Sequence, residues 1–257
     1  MSDVGTTAMS SAGLEFRVGR VLGEAFNVLF KDLWKFLLLA VVALLPSALL
    51  VLVVGGTRAG LGASPNIAGA SLGILLIDIP LGILCYALSS AGTLYGAFQD
   101  MRGRHFELGE SFAVAFSRFF PVLGVAICFG IAVGLASILL LVPGLMVLSA
   151  FYVALPACVM ERTGPIESLS RSGQLTKGHR WRVFGVVVVI VVVSMIVGGL
   201  LEVVSVAVGG VVAGTVVNFV WNAFYAAYNS VAIAVIYHDL RVVKEGIDID
   251  RIAAVFD

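Results

Sequence analysis

ACVMERTGPIESLSRSGQLTKGHRWRVF, residues 157–184, is a polar, basic island between two apolar runs. LVPGLMVLSAFYVALP (141–156) precedes it and GVVVVIVVVSMIVGG (185–199) follows it. The island carries Arg162, Arg171, Lys177, Arg180 and Arg182, with Trp181 among them. Such a stretch separates two membrane spans and marks the side of the bilayer that keeps its positive charge. The rest of the chain repeats the theme, a charged and partly amphipathic segment followed by two apolar runs.

Composition agrees. Of 257 residues, 60% are hydrophobic and 12% charged, and the mean hydropathy is +1.07. Soluble domains are about one-quarter charged and under half apolar. The expected class is therefore an all-α polytopic membrane protein. Net charge is zero, so no overall field points to nucleic acid. Cys85, Cys128 and Cys158 stand singly, without metal-ligand or redox spacing, and read as small buried hydrophobes. The opening MSDVGTTAMSSAGLEF has no basic region ahead of an apolar core; no cleaved signal peptide is expected, and the first apolar run reads as an anchor.

Outward from the island, the apolar pattern predicts six spans at about 33–54, 70–98, 120–141, 145–160, 183–201 and 216–237, since a ~30 Å hydrocarbon core takes roughly 20 helical residues. Residues 1–13 read as a disordered tail, 14–241 as one membrane domain and 242–257 as a polar C-terminal tail. Val18, Val21, Leu22, Ala25, Phe26 and Leu29 recur at helical spacing; this predicts a helix lying in the headgroup layer or, alternatively, the first turns of a longer membrane helix. Phe112, Ala115, Phe116 and Phe119 predict a second amphipathic face. Pro46 predicts a kink. The second apolar region admits two solutions: a span that starts at Pro80, or one long tilted helix. Val142-Pro143-Gly144 reads as a tight turn, residues 55–69 as a loop, and Gly209–Gly210 as a helix break.

Fifteen of the sixteen basic residues fall in the N-terminal segment, the 99–118 loop, the island and the tail; Arg58 alone lies on the other side. The positive-inside rule then predicts cytoplasmic termini and an even number of spans in a bacterial cytoplasmic membrane. Three cytoplasmic segments look alike: Leu22-Gly-Glu24-Ala-Phe26, Leu108-Gly-Glu110-Ser-Phe112 and Pro165-Ile-Glu167-Ser-Leu169. They suggest a unit of one interfacial helix plus two spans, occurring three times.

Candidate chemistry is sparse. Asp78 is a charge inside an apolar run; it reads either as a functional carboxylate or as a hydrated helix-start residue beside Pro80. Asn218, Asn222, Tyr225 and Asn229 form one stripe on the sixth span, and Tyr86, Ser89, Ser90 and Thr93 lie on the second. They line a cavity or serve as interhelical hydrogen bonds, each worth roughly 0.6 kcal/mol. Gly92/Gly96, Gly130/Gly134 and Gly210/Gly214 read as packing pairs. Arg162, Arg171, Lys177, Arg180, Trp181 and Arg182 either bind anionic lipid headgroups or a partner, or only set topology. No metal set and no cofactor motif is visible: His105, His179 and His238 share no ligand spacing.

With these residues in view, the chain from about Leu14 resembles the bacterial membrane domain that accompanies some glycerophosphoryl diester phosphodiesterases and also stands alone. The carrying residues are Leu141-Val-Pro143-Gly144, Ala157-Cys-Val-Met-Glu161-Arg162, Ser168-Leu-Ser-Arg171-Ser172, Lys177-Gly-His179-Arg180-Trp181-Arg182 and Tyr237-His-Asp239-Leu240-Arg241 with Lys244-Glu245-Gly246-Ile-Asp248. The resemblance implies a six-helix bundle with interfacial helices. It does not imply catalysis, because in fused members the esterase chemistry belongs to a separate soluble domain whose motifs have no counterpart here. The expected function is a non-enzymatic, lipid-contacting or scaffold role in membrane homeostasis, with membrane lipids and a membrane protein or second copy as partners. The alternative is a small transporter or channel with its route between the second and sixth spans.

Overall fold

A computed structural model describes residues 18–60, 69–104, 107–139 and 141–245. All regular structure among them is helical: α1 Val18–Lys31, α2 Leu33–Gly60, α3 Gly69–Met101, α4 Leu108–Ser117, α5 Phe119–Leu139, α6 Leu141–Phe151, α7 Ala154–Met160, α8 Pro165–Thr176 and α9 Arg180–Glu245. Helices satisfy their own backbone groups, which is what an apolar solvent demands. Five segments are long and apolar enough to cross a membrane: Pro80–Met101, Phe119–Ile138, Pro143–Met160, Arg180–Ser205 and Val216–Glu245. The chain is a membrane protein. The apolar stretch of α2 described in full, Leu33–Leu49, is shorter.

The long run α9 is helical throughout yet folds back on itself. Asn218 Nδ2 donates to Glu202 Oε2 at 2.7 Å, whereas a straight helix would separate these residues by about 24 Å. The reversal lies between the arms Arg180–Ser205 and Val216–Glu245, the stretch where Gly209–Gly210 predicts a break. Gly198 permits the close approach, since a Cβ there would lie 2.8 Å from the Trp221 indole nitrogen. The second arm is the buried one. Val231 to Tyr237 and Leu240 are at most 2% exposed, and they pack with α1, α2 and α3 in one apolar core. The first arm presents valines outward, among them Val192 and Val193.

Several boundaries differ from the sequence expectation. The helix α2 continues to Gly60, past the expected end at Val54. Both Pro46 and Pro80 lie inside continuous helices, so the second apolar region is one long helix. Val142-Pro143-Gly144 is not a turn but the first turn of α6. Proline is tolerated there because the first N–H groups of a helix have no intrahelical acceptor. The chain reverses ahead of it: a Cβ on Gly144 would lie 2.3 Å from the Ser137 hydroxyl. The expected fourth span, 145–160, is two helices separated by Tyr152-Val153. Pro156 explains the break, since its ring lacks an N–H and clashes with the carbonyl four residues back, that of Tyr152. The expected tail 1–13 and residues beyond Glu245 lie outside the described residues, as do residues 61–68 of the expected loop.

The short helices α1, α4 and α8 carry the three look-alike segments and pack into one end of the bundle. In α1, Val21, Ala25 and Leu29 are fully buried, chiefly against α9. In α4 the inward residues are Ser111 and Ala115, while Phe116 is 66% exposed. The expected face is divided: Ala115 is buried and Phe112 packs against the core, whereas Phe116 points outward; small residues face α3 because Gly92 comes against the Ser111 carbonyl and Ala115. In α8, Ser168, Ser172, Leu175 and Thr176 are buried. The hydroxyls of Ser172 and Thr176 donate to the Ala150 carbonyl at 2.8 and 3.1 Å. That carbonyl lies in the last turn of α6, so the break after Phe151 supplies the acceptor that seats α8.

Candidate functional site at the basic end of the bundle

Two charged assemblies occupy the end where α1, α4 and α8 pack. The first is closed. Arg171 Nε of α8 donates to both Glu161 oxygens at 2.9 Å, and its guanidinium also holds Glu245. Arg241 Nε donates to the other Glu245 oxygen at 3.0 Å. The Tyr237 hydroxyl donates to Glu161 at 2.6 Å, and Arg241 sits 5.8 Å from the Tyr237 ring centroid, within cation–π range. Two carboxylates and two guanidiniums therefore neutralise one another while joining α7, α8 and α9. Two further pairs fix α1: Arg20 to Asp239 at 2.8 Å and Lys31 to Asp100 at 2.5 Å. The two aspartate side chains are only 7% and 6% exposed. The hydrogen bond from Lys31 to Asp100 holds the lysine above its usual range. Burial and the Asp239 carboxylate push Glu24 up.

The second assembly is open. A recess of about 550 Å³ is lined by Arg102, Arg104, Arg118 and Arg162, with Tyr95 and Gln99 on its α3 wall. Backbone geometry sets each arginine. After α3, Gly103 takes a left-handed φ of 67°. Its N–H bonds the Asp100 carbonyl at 2.9 Å, and the Arg104 N–H bonds Gln99 at 3.0 Å. This is a Schellman closure, for which glycine is suited, and it holds Arg102 and Arg104 on either side of Gly103. Arg118 is the C-cap of α4, and α5 begins at the next residue. Arg162 follows the α7 C-cap Glu161 with φ 56°, an uncommon conformation for a side-chain-bearing residue. Gln99 Nε2 donates to the Tyr95 hydroxyl at 2.8 Å, and Tyr95 donates to Glu110 at 3.3 Å.

The residues singled out from sequence do not form one site. Only Arg162 lines the recess, and Arg171 belongs to the closed network. Arg180 and Trp181 border a separate apolar notch of about 60 Å³ with Leu145, Met146 and Phe184. Lys177 caps α8, exposed, and Arg182 is exposed. Asp78 lies in α3 two residues before Pro80; its side chain is outside the described residues. The stripe on the second α9 arm divides. Asn222 bonds Asn218, which bonds Glu202 of the first arm. Deeper in, Asn229 accepts from Tyr152 at 2.8 Å, and Tyr86 and Tyr225 lie close by. Ser89 Oγ and Thr93 Oγ1 are buried without a partner among the described residues. Gly92 is a packing glycine, whereas nothing approaches Gly130 or Gly134. Cys85 and Cys158 are buried and Cys128 half-buried, none of them in a disulfide. Among the described residues no group of three or more His, Cys, Asp or Glu gathers to hold a metal.

Sequence reasoning assigned Arg102, Arg104 and Arg118 to topology alone, named Glu161, Arg241 and Glu245 only within the family resemblance, and overlooked Tyr95 and Gln99. A signal was present: all four recess arginines stand within three residues of a helix C-terminus, two of them flanking the turn glycine Gly103.

The molecule is thus an all-helical membrane protein with a charged platform at one end. Its residues 105–240, just over half of the chain, match a domain of unknown function, DUF7847. The chain belongs to that family. No curated protein and no solved structure matches it.

Proposed function

We propose that the protein is a non-enzymatic, lipid-contacting component of a bacterial cytoplasmic membrane, with a scaffold or accessory role in membrane homeostasis. One observation carries the reading: four arginines line an open recess at the basic end, while the other ion pairs at that end are closed. Positive charge beside a bilayer attracts anionic lipid by roughly 1 kcal/mol per basic residue. Exposed aromatic side chains at the same end support a membrane interface there, with Trp34, Phe120 and Trp181 between 68% and 79% exposed.

The proposed topology has six spans, α2 being the first, and both termini cytoplasmic. Three units of one short helix and two spans account for it. Burial supports the repeat: the fourth residue of each look-alike segment (Ala25, Ser111, Ser168) is 0% exposed, and so is the residue four later (Leu29, Ala115, Ser172). The kinship with the phosphodiesterase-associated membrane domain rests on the sequence motifs given above. Native mass spectrometry of protein extracted gently from its own membrane tests the function. Retained anionic lipid or a protein subunit at fixed stoichiometry is the expected result; a bare monomer would sink the proposal.

A second reading, a solute route between α3 and the second arm of α9, is favoured by the half-buried Tyr86 and Tyr152 around the buried Asn229, with the unpartnered Ser89 and Thr93 hydroxyls. Flux of small polar solutes into liposomes, lost on Asn229→Leu, would favour it.

A further inference from the structure

We infer that the four-arginine recess is a specific site for a doubly charged phosphate group, the phosphomonoester headgroup of a membrane lipid. The inference rests on the lipid-contact reading and names the ligand class for it. Arg102, Arg104, Arg118 and Arg162 bring four positive charges to one recess of about 550 Å³, a size typical of small-ligand sites. None of the four makes an ion pair to a described carboxylate.

Helix ends offset part of that charge. The C-termini of α3 and α7 contribute roughly half a negative charge each, and the C-terminus of α4 is cancelled by the N-terminus of α5. Glu110, tied to the recess through Tyr95, contributes one more negative charge. The remainder is about two positive charges. A phosphodiester headgroup supplies one negative charge; a phosphomonoester supplies about 1.5 to 2 near neutral pH and offers three acceptor oxygens. Guanidinium forks suit those oxygens better than ammonium groups do.

The surroundings favour a lipid over a free solute. The helix α5 starts at the residue after Arg118, and its outward side is apolar along its length: Phe120, Ile127, Ile131, Leu135 and Ile138 are all exposed. An acyl chain can lie against that side while its phosphate reaches the arginines. Tyr95 and Gln99, already hydrogen-bonded to each other, have capacity left on the Gln99 carbonyl oxygen, which is buried without a partner. That oxygen suits a hydroxyl or glycerol donor next to the phosphate.

The test uses the full chain in phosphatidylcholine nanodiscs doped with phosphatidic acid (a monoester) or phosphatidylglycerol (a diester), with bound lipid counted by native mass spectrometry. The expected result is one tightly held phosphatidic acid per chain and weaker phosphatidylglycerol binding. The Arg102→Gln, Arg118→Gln, Arg162→Gly triple variant should weaken phosphatidic acid retention roughly a hundredfold. Should that variant misfold, Arg162→Gly alone serves, because glycine accepts the left-handed φ at 162 without strain. Inorganic pyrophosphate forms a second arm: displacement of the lipid at comparable concentration would keep the phosphate chemistry but assign the site to a soluble ligand. Retention of phosphatidic acid unchanged in the folded variant would overturn the inference and leave general lipid contact standing. No anionic lipid on the wild type would remove both.

Discussion

Glu161 and Arg162 are neighbours in the chain, yet they belong to opposite kinds of charged assembly. Glu161 is enclosed with Arg171, Arg241, Glu245 and Tyr237, where positive and negative groups balance. Arg162 turns away on a left-handed backbone and joins three other arginines around an open recess. The balanced assembly joins three helices and has no charge left to offer a ligand. The unbalanced one joins little and keeps its charge for something outside the chain. In this molecule neutrality marks the structural arginine, and excess charge marks the binding one.

The comparison is broken most directly by Arg171→Ala. Exposed ion pairs contribute under about 1 kcal/mol, and breaking buried ones costs about 3–5 kcal/mol. The Arg171 and Glu161 side chains are 25% and 20% exposed, so about 2 kcal/mol is expected, read as a lowered unfolding midpoint in detergent. An unchanged midpoint would mean that the closed network holds nothing together. Next in size is the seat of α8: Ser172→Ala with Thr176→Val leaves the buried Ala150 carbonyl without either hydroxyl. That should cost about 1–3 kcal/mol in the same measurement.

Smaller effects sharpen the contrast. The recess variants should move the midpoint by only about 0.5 kcal/mol or less, as surface changes do. Arg162→Gly should stay within that range as well. The smallest effect is a titration. Burial, then Arg182 and Lys244, hold His179 below its usual range. A lowered folded-state value means that the unfolded chain binds the proton more readily, so stability present above about pH 6.5 is lost as pH falls through the lowered value. His179→Gln should flatten the small loss of stability that the wild type shows as pH falls below about 6.5. An identical slope in wild type and variant would assign that titration elsewhere.

Much of the architecture was legible in the sequence because a bilayer makes it so. Apolar length gives spans, and the charged segments between them mark where α1, α4 and α8 begin. Boundaries were less legible where local residues act on backbone rather than on hydropathy. Pro156 divides the expected fourth span, and Pro143 starts a helix where a turn was expected. The site was legible only in part. Arg171 and Arg162 sit in one island with the same local composition, and what separates them is a carboxylate 74 residues away, Glu245. Its position depends on the reversal within α9, which Gly209–Gly210 signals, and on how the second arm then packs against α8, which no local pattern encodes. The recess likewise needs α3, α4 and α7 to end side by side.

The most direct test of the account is a paired measurement on Arg171→Ala and on the Arg102→Gln, Arg118→Gln, Arg162→Gly variant, reading both the unfolding midpoint and the phosphatidic acid retained per folded chain. The account predicts opposite outcomes. The first variant loses stability and keeps its lipid; the second keeps stability and loses its lipid. If the two variants changed both readings in parallel, the division between structural and binding arginines would be wrong.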